Sequence, residues 1–287
     1  MINSGHQVTL VAFEAPPQWV LDQHTDSQNW IILNKKPGKF DFNLLLQLLK
    51  LIKHHKIDIT HTHCEASALY AGIACKLKRT PIVGTYHRSE LAHYQPSLKN
   101  KFYACLLDHC IAISHERKKR MVEQLGIANQ KITIIHGGIE LKDAPIIASK
   151  EALKETLGIC GTIIFSAGHL GPIKGHEDSI MALVELNHYF PDQAKEAKLY
   201  IAGDGSKPEY KHLNTLIRKH QLDGQVTLLG HTSNTISWMQ ACDIFLQPSR
   251  EEGFGLVFLE AGLCSKPTIA TQVGGIPDII INNETFI

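Results

Sequence analysis

Short apolar runs that end in glycine or histidine and lead into helix-patterned segments recur along this chain, and that punctuation constrains the fold more than any bulk property. Pro81-Ile82-Val83-Gly84-Thr85-Tyr86 stops at His87, Thr162 to Ala167 at Gly168-His169, Leu199 to Ala202 at Gly203-Asp204-Gly205, Val226 to Leu229 at Gly230, and Asp243 to Gln247 at Pro248. Runs of this length bounded by breakers read as strands, and their alternation with helical periodicity reads as parallel sheet with crossover helices. Glycine at successive strand exits marks one edge where the backbone stays open, the edge at which open parallel sheets present ligands. The chain is therefore expected to be α/β with a binding site at that edge.

At 287 residues there is room for two domains of ordinary size, and 44% hydrophobic with 20% charged residues is a globular composition. A formal charge of +1 supplies no long-range field for nucleic acid, which sets that partner aside. Seven cysteines, odd in number and without Cys-x-x-Cys, fit buried free thiols in a reducing compartment better than a disulfide framework. No apolar run approaches the ~18 residues of a spanning helix, and the first residues lack the pattern of a signal peptide, so a cytoplasmic protein is the default.

In the first half, His6 to Ala12 alternates toward a strand, and Trp30 to Leu33 is a short strand between proline-containing loops. Leu44, Leu45, Leu48, Leu49 and Ile52 repeat with helical spacing over Asp41 to His55. Ile57 to His63 is the next strand, followed by a helix of small residues from Ala66 to Leu77. His61 and His63 share a strand face and, with Cys64, His54 and His55, raise a metal reading; no second ligand cluster at zinc spacing follows, so it is set aside. Ser114 is placed to cap the helix after strand Cys110 to Ile113. Arg117-Lys118-Lys119-Arg120 on that helix reads first as solvated surface and second as a contact with an anionic acceptor or a membrane. Lys131 to Ile135 closes this half as a strand, and residues 141 to 158 read as an interdomain connection followed by a short helix.

The densest site signal is Pro248 to Ile279. Gly253 and Gly255 let backbone approach a ligand, and the helix that follows offers free N–H groups and a positive dipole end to an anion. Glu252 stands just outside that helix end. Glu260 lies within the apolar run Leu256 to Leu263, where an unpaired carboxylate costs roughly 2 kcal/mol or more, so it needs a partner. A helix-start acid and an internal salt bridge would explain the two glutamates; so would a bound sugar, whose adjacent hydroxyls one carboxylate can bridge. Lys174, beside a helix start, suits a leaving phosphate.

Taken whole, Glu252-Gly-Phe-Gly-Leu, seven residues on to Glu260-Ala261, then Lys266-Pro267-Thr268-Ile269-Ala270-Thr271 and Gly274-Gly275, resembles the nucleotide-sugar signature of retaining family-4 glycosyltransferases, the glycosyl transferases group 1. The resemblance implies a GT-B fold, two Rossmann-like domains facing across a cleft: residues 1–145 on the acceptor side, without their first β-α unit, and 146–287 on the nucleotide-sugar side, without the C-terminal helices. It implies transfer of a sugar from a nucleotide-diphosphate donor to an acceptor hydroxyl with retained configuration, in glycan, glycolipid or lipopolysaccharide synthesis. Glu252 would contact the transferred sugar, Glu260 the ribose hydroxyls, and Gly253, Phe254, Gly255 and Leu256 the sugar and diphosphate.

On the same grounds His87, in a Thr-x-His context, would be catalytic with Lys174 and Glu252, while Gly168, His169 and Lys174 would bind the donor phosphates. The family usually carries arginine at His169 and Asn-Gly-Ile-Asp where this chain has His136-Gly137-Gly138-Ile139-Glu140; a histidine at 169 should weaken the phosphate grip and make it fade as pH rises. No cofactor or metal is expected. The implied partners are the donor, a sugar or lipid-linked acceptor, and peripherally the inner face of a membrane. The rival readings are a non-catalytic nucleotide-sugar-binding remnant and a nucleotide-sugar epimerase of the same fold.

Overall fold

A computed structural model describes residues 5–16, 29–36, 40–87, 96–139 and 149–281, except for the Asn29 side chain. In chain order its strands and helices are β1 (Thr9–Ala12), β2 (Asn29–Ile32), α1 (Phe42–His54), β3 (Thr60–Thr62), α2 (Glu65–Lys78), β4 (Ile82–Tyr86), α3 (Leu98–Leu106), β5 (His109–Ala112), α4 (His115–Glu123) and β6 (Ile132–Ile134). There follow α5 (Lys150–Leu157), β7 (Thr162–Ala167), α6 (His176–Tyr189), α7 (Pro191–Ala194), β8 (Ala197–Ala202), α8 (Lys207–Lys219), β9 (Val226–Gly230), α9 (Thr235–Ala241), β10 (Ile244–Gln247), α10 (Leu256–Leu263) and β11 (Thr268–Ala270). Single 3-10 turns cover Pro172–Lys174 and Ile276–Asp278.

The described residues gather into two compact units, one within Met1–Tyr86, Pro96–Ile111 and Leu125–Thr133, the other within His87–Gln95, Ala112–Gln124 and Ile134–Ile287. The domain boundary expected at 145 falls in residues 140–148, outside those described.

In the first unit α1 starts where the Asp41 carboxylate accepts the Leu44 N–H at 3.1 Å, and it buries Leu44, Leu48 and Ile52, the stripe its spacing predicted. Its neighbour α2 buries Tyr70 together with Ala71, Gly72, Ala74 and Cys75, the last four small enough to let helices approach closely. Asp108 accepts the Ile82 N–H at 3.0 Å and pairs with Lys76, which holds its carboxyl below the ordinary range. Strands β3 to β6 form a sheet in sequence order, whereas β1 and β2 pair in parallel with each other alone. Among the described residues, β1 and β3 thus each have an edge without a neighbouring strand.

The second unit is a five-stranded parallel sheet in the order β11-β10-β7-β8-β9. From β7 the chain winds outward through β8 and β9, then returns to place β10 on the other side of β7. The strand order therefore reverses between β7 and β10, and their carboxyl ends lie together at the point where open α/β sheets bind ligands. Two apolar clusters hold the sheet, one around Phe165, Phe245, Phe258, Trp238 and Met239, the other around Ile180, Leu183, Leu199, Leu213 and Ile217.

All seven cysteines are free, as expected, but only Cys75, Cys110 and Cys242 are buried; Cys64, Cys105 and Cys160 are exposed. Burial pushes the Cys110 thiol up to about 11 and Cys242 to about 12, so both stay protonated and act as small core side chains. No helix among the described residues is long and apolar enough to cross a membrane.

Candidate functional site

The loop after β7 and the loop after β10 are locked together by backbone. Gly175 closes the first loop at φ +70°, and a Cβ there would collide with the carbonyl oxygen of Pro248. Arg250 N–H donates to the Ile173 carbonyl at 2.8 Å. Glycine is required because the backbone is left-handed and in contact with the neighbouring strand exit. The consequence is that Lys174 is delivered to the motif that begins at Pro248.

There Lys174 Nζ donates to Glu252 Oε2 at 2.6 Å. Glu252 is almost wholly buried, with 7% of its side chain exposed against 19% for Lys174. The other carboxylate oxygen, Oε1, accepts the Gly253 N–H at 3.2 Å, and Ser249 Oγ donates weakly to Oε2 at 3.5 Å. The main-chain carbonyl of Glu252 is held as well, by Arg117 Nη2 at 3.0 Å and Gly275 N–H at 3.2 Å. A buried carboxylate is tolerated here because it is paired and hydrogen-bonded.

Behind this pair runs a buried polar chain. His176 Nε2 lies 3.3 Å from the Gly168 carbonyl and donates to it, which leaves Nδ1 to face Ser166 Oγ at 3.2 Å. Ser166 Oγ is also 3.1 Å from Gln247 Oε1, which accepts the Ala167 N–H at 3.2 Å, and Gln247 Nε2 donates to the Lys174 carbonyl at 2.7 Å. His176, Ser166 and Gln247 are each at most 2% exposed. Burial pushes the His176 imidazole down to about 4, so it is neutral and serves as a spacer rather than a charge. The chain fixes the backbone of Gly168 and Lys174 from below.

Helix α10 starts at Gly255, in the left-handed region at φ +102°, with no side chain capping its first turn. Its free N–H groups and dipole face the same loops. Glu260, one turn along, is half-buried and its carboxyl is raised by that burial. Among the described residues no hydrogen bond or ion pair engages it, so the internal salt bridge that would explain it as structural is not there.

The structure thus assembles Gly168, Lys174, Glu252, Gly253, Phe254, Gly255 and Leu256 around one strand exit; Gly168 packs its missing Cβ position against the Lys174 stem. His169 is exposed, and its Nδ1 accepts the Gly171 N–H at 3.0 Å. Only Nε2 is therefore left for a ligand, and a second proton on the ring would break the loop bond. His87 is exposed at the end of β4, and none of the hydrogen bonds of Lys174 or Glu252 reaches it. In the first unit, His61 and His63 lie with ring centroids 4.2 Å apart, and His61 Nε2 is 2.7 Å from Thr85 Oγ1.

One expectation is corrected. Arg117, read with Lys118 to Arg120 as solvated surface, has 0% side-chain exposure, pairs with Glu116 at 2.6 Å and braces the Glu252 carbonyl. The signal was available: Arg117 and Met121, four apart, are the buried positions of α4. Ser249, Gln247 and His176 were also missed, since polar residues at strand ends look like ordinary loop residues until the sheet places them.

The fold, two units built on parallel α/β sheets, is that of the GT-B class. The family description Glycosyltransferase Family 4 matches residues 1–143 and Glycosyl transferases group 1 matches residues 150–287, and the chain belongs to this family. It is 28% identical over 257 residues to N-acetyl-alpha-D-glucosaminyl L-malate synthase of Bacillus anthracis, covering 86% of this chain and 65% of that protein. It is also 28% identical over 262 residues to the UDP-Gal:alpha-D-GlcNAc-diphosphoundecaprenol alpha-1,3-galactosyltransferase of Escherichia coli, covering 85% and 65%. The chain thus spans about 65% of the length of these curated relatives. Among solved structures, a glycosyltransferase from Rickettsia africae superposes with TM-score 0.85 at 24% identity over 100% of this chain and 76% of its own. Anabaena HepE in complex with UDP and glucose superposes at 0.79, with 22% identity over 96% and 75%. At these identities the likeness concerns the fold.

Proposed function

We propose that the chain transfers a sugar from a nucleoside-diphosphate donor to an acceptor hydroxyl with retention of configuration. On this reading the anomeric C–O bond to the diphosphate breaks, its electrons leave with the phosphate oxygen, and the acceptor oxygen forms the new bond on the same face while its proton passes to the departing phosphate. What the protein supplies is electrostatic: Lys174, the N–H groups of Phe254 to Leu256 and the start of α10 meet the charge that develops on the leaving group. These are enough without a metal at the phosphate. Glu252 orients a hydroxyl of the transferred sugar, Glu260 takes the ribose diol, Gly168 and His169 Nε2 line the phosphate side, and His87 faces the sugar from the end of β4. The acceptor is a sugar or lipid-linked hydroxyl met in the cytoplasm or at the inner face of a membrane.

The observation that carries the reading is Glu260, a half-buried carboxylate with no partner among the described residues, one helical turn from an open helix start. A diol satisfies it, and the ~6 Å between the helix start and Glu260 suits a phosphate and the ribose of the same nucleotide. UDP-, GDP- and ADP-sugars titrated calorimetrically into the chain should show one class binding. Glu260→Gln should weaken it ~10–100-fold, the worth of charge-assisted hydrogen bonds to a diol. Because burial raises this carboxyl, affinity should also fade on acidification sooner than for an ordinary glutamate near ~4.3. Unchanged affinity in Glu260→Gln would remove the residue from the site. Release of free nucleoside diphosphate only when acceptor is present would separate transfer from mere binding.

A further inference from the structure

We propose that His115, His136 and Asp278 form a binding site for a divalent transition-metal ion, with zinc the best chemical fit. The three residues come from the start of α4, the exit of β6 and the 3-10 turn Ile276–Asp278, all within the second unit. One ligand atom from each lies within 4.8 Å of the other two. Asp278 Oδ1 is 3.2 Å from His115 Nδ1, and Oδ2 is 3.2 Å from His136 Nε2. Ligands at 2.0–2.2 Å around a tetrahedral ion stand about 3.3 to 3.6 Å apart, so both carboxylate–imidazole approaches need only a small adjustment to share an ion. Two imidazoles and one carboxylate, with a position left for water, make a donor set suited to zinc.

An alternative is that the histidines simply hydrogen-bond to the aspartate. Among the described residues, however, the only hydrogen bond that reaches the Asp278 carboxylate comes from the His115 backbone N–H, to Oδ2 at 2.8 Å. Each ring nitrogen stands 3.2 Å from a different carboxylate oxygen, an ion pair only when the ring is protonated. The ligand groups are also held in place. Asp278 is only 10% exposed and is fixed by that backbone bond, and the His136 ring stacks on Phe254 at 5.1 Å and 21°. Such outer contacts orient a ligand before the ion arrives.

An ion here would tie the β6 exit to the start of α4 beside Phe254, so it would brace the Gly253–Leu256 turn from the side. That role is independent of whether the turn grips a nucleotide sugar. The test is to strip the chain with a chelator, dialyse it, and titrate ZnCl2 by calorimetry and CoCl2 by visible absorption at pH 7.5. One equivalent of tight zinc, cobalt bands of a four- or five-coordinate site and a higher melting temperature are expected. His115→Ala, at a side chain 69% exposed, leaves the fold intact and should weaken that equivalent at least ~10–100-fold, the range seen when merely an outer-shell partner is lost. The His115→Ala/His136→Ala double variant should lose it, and His61→Ala/His63→Ala should keep it. No zinc binding below about 100 μM, about 7 kcal/mol short of a nanomolar site, overturns the proposal. So does zinc binding of equal affinity in the His115→Ala/His136→Ala variant.

Discussion

Before any donor arrives, Lys174 is already neutralised by Glu252, and this sets up a counter-intuitive result for Glu252→Gln. At 2.6 Å and an effective dielectric near 20, the gross attraction between the two charges is about 6 kcal/mol. Most of it offsets the loss of water around a carboxylate that is 7% exposed. A diphosphate that recruits Lys174 has to share the ammonium with this carboxylate and to approach a negative charge. Removing the charge but keeping an acceptor for the Gly253 N–H should therefore tighten binding of the free nucleoside diphosphate by about 1.5–3 kcal/mol, roughly 10–100-fold. The nucleotide sugar should gain less, because the same substitution removes an acceptor for the sugar hydroxyl. Calorimetry with UDP, GDP and ADP against wild type, Glu252→Gln and Lys174→Met resolves this, with Lys174→Met weakening every ligand. If Glu252→Gln binds the free diphosphate no better than wild type while its urea midpoint stays close, Lys174 is not the diphosphate partner and the assignment fails.

Two further predictions concern the frame. Unfolded His176 takes up a proton near pH 6.5, but in the fold it does so only near 4, so the unfolded state binds more protons between those values and stability falls as pH drops through them. The loss attributable to this residue is about 3 kcal/mol, and urea unfolding from pH 7.5 to 4.5 should show a flatter profile in His176→Gln; equal slopes would mean that other groups govern acid sensitivity. Gly175→Ala should cost at least about 3 kcal/mol, because the new methyl meets Pro248 as well as a left-handed backbone, whereas Gly158→Ala, at φ +65° with open space around it, should cost only about 1. Similar losses in the two variants would show that contact between the loops after β7 and β10 is not what demands glycine.

The alternation of short strands and helices was legible because short apolar runs ended by glycine or proline are local signals, and β7 to β10 stand where the runs predicted them, whereas β11 figured only as part of the motif. The Glu252–Glu260 cassette was legible for another reason: turn, helix start and spacing all lie within one continuous stretch. The roles of Arg117, Ser166, Gln247 and His176 were not, because each depends on a partner 8 to 135 residues away that only the sheet order brings near. His169 shows the limit from the other side. Sequence placed it correctly at the β7 exit, but whether its ring could hold a phosphate depended on Nδ1, and the Gly171 N–H occupies that nitrogen.

These contacts leave the two ends of the candidate site in different states. At the strand-exit end every charge is matched, since Lys174 meets Glu252 and the Glu252 carbonyl has two donors, so a ligand there must exchange partners rather than fill an unmet need. On the helix, Glu260 is half-buried and unmatched among the described residues, and burial raises its carboxyl. A nucleotide relieves the second condition while it disturbs the first. Affinity for the nucleoside half should thus come chiefly from Glu260, and the Lys174–Glu252 pair should distinguish a diphosphate that still carries its sugar from one that has lost it. If the proposed transfer takes place, the pair would then act as a selector at product release, because the freed Glu252 carboxylate would compete with the spent diphosphate for the same ammonium.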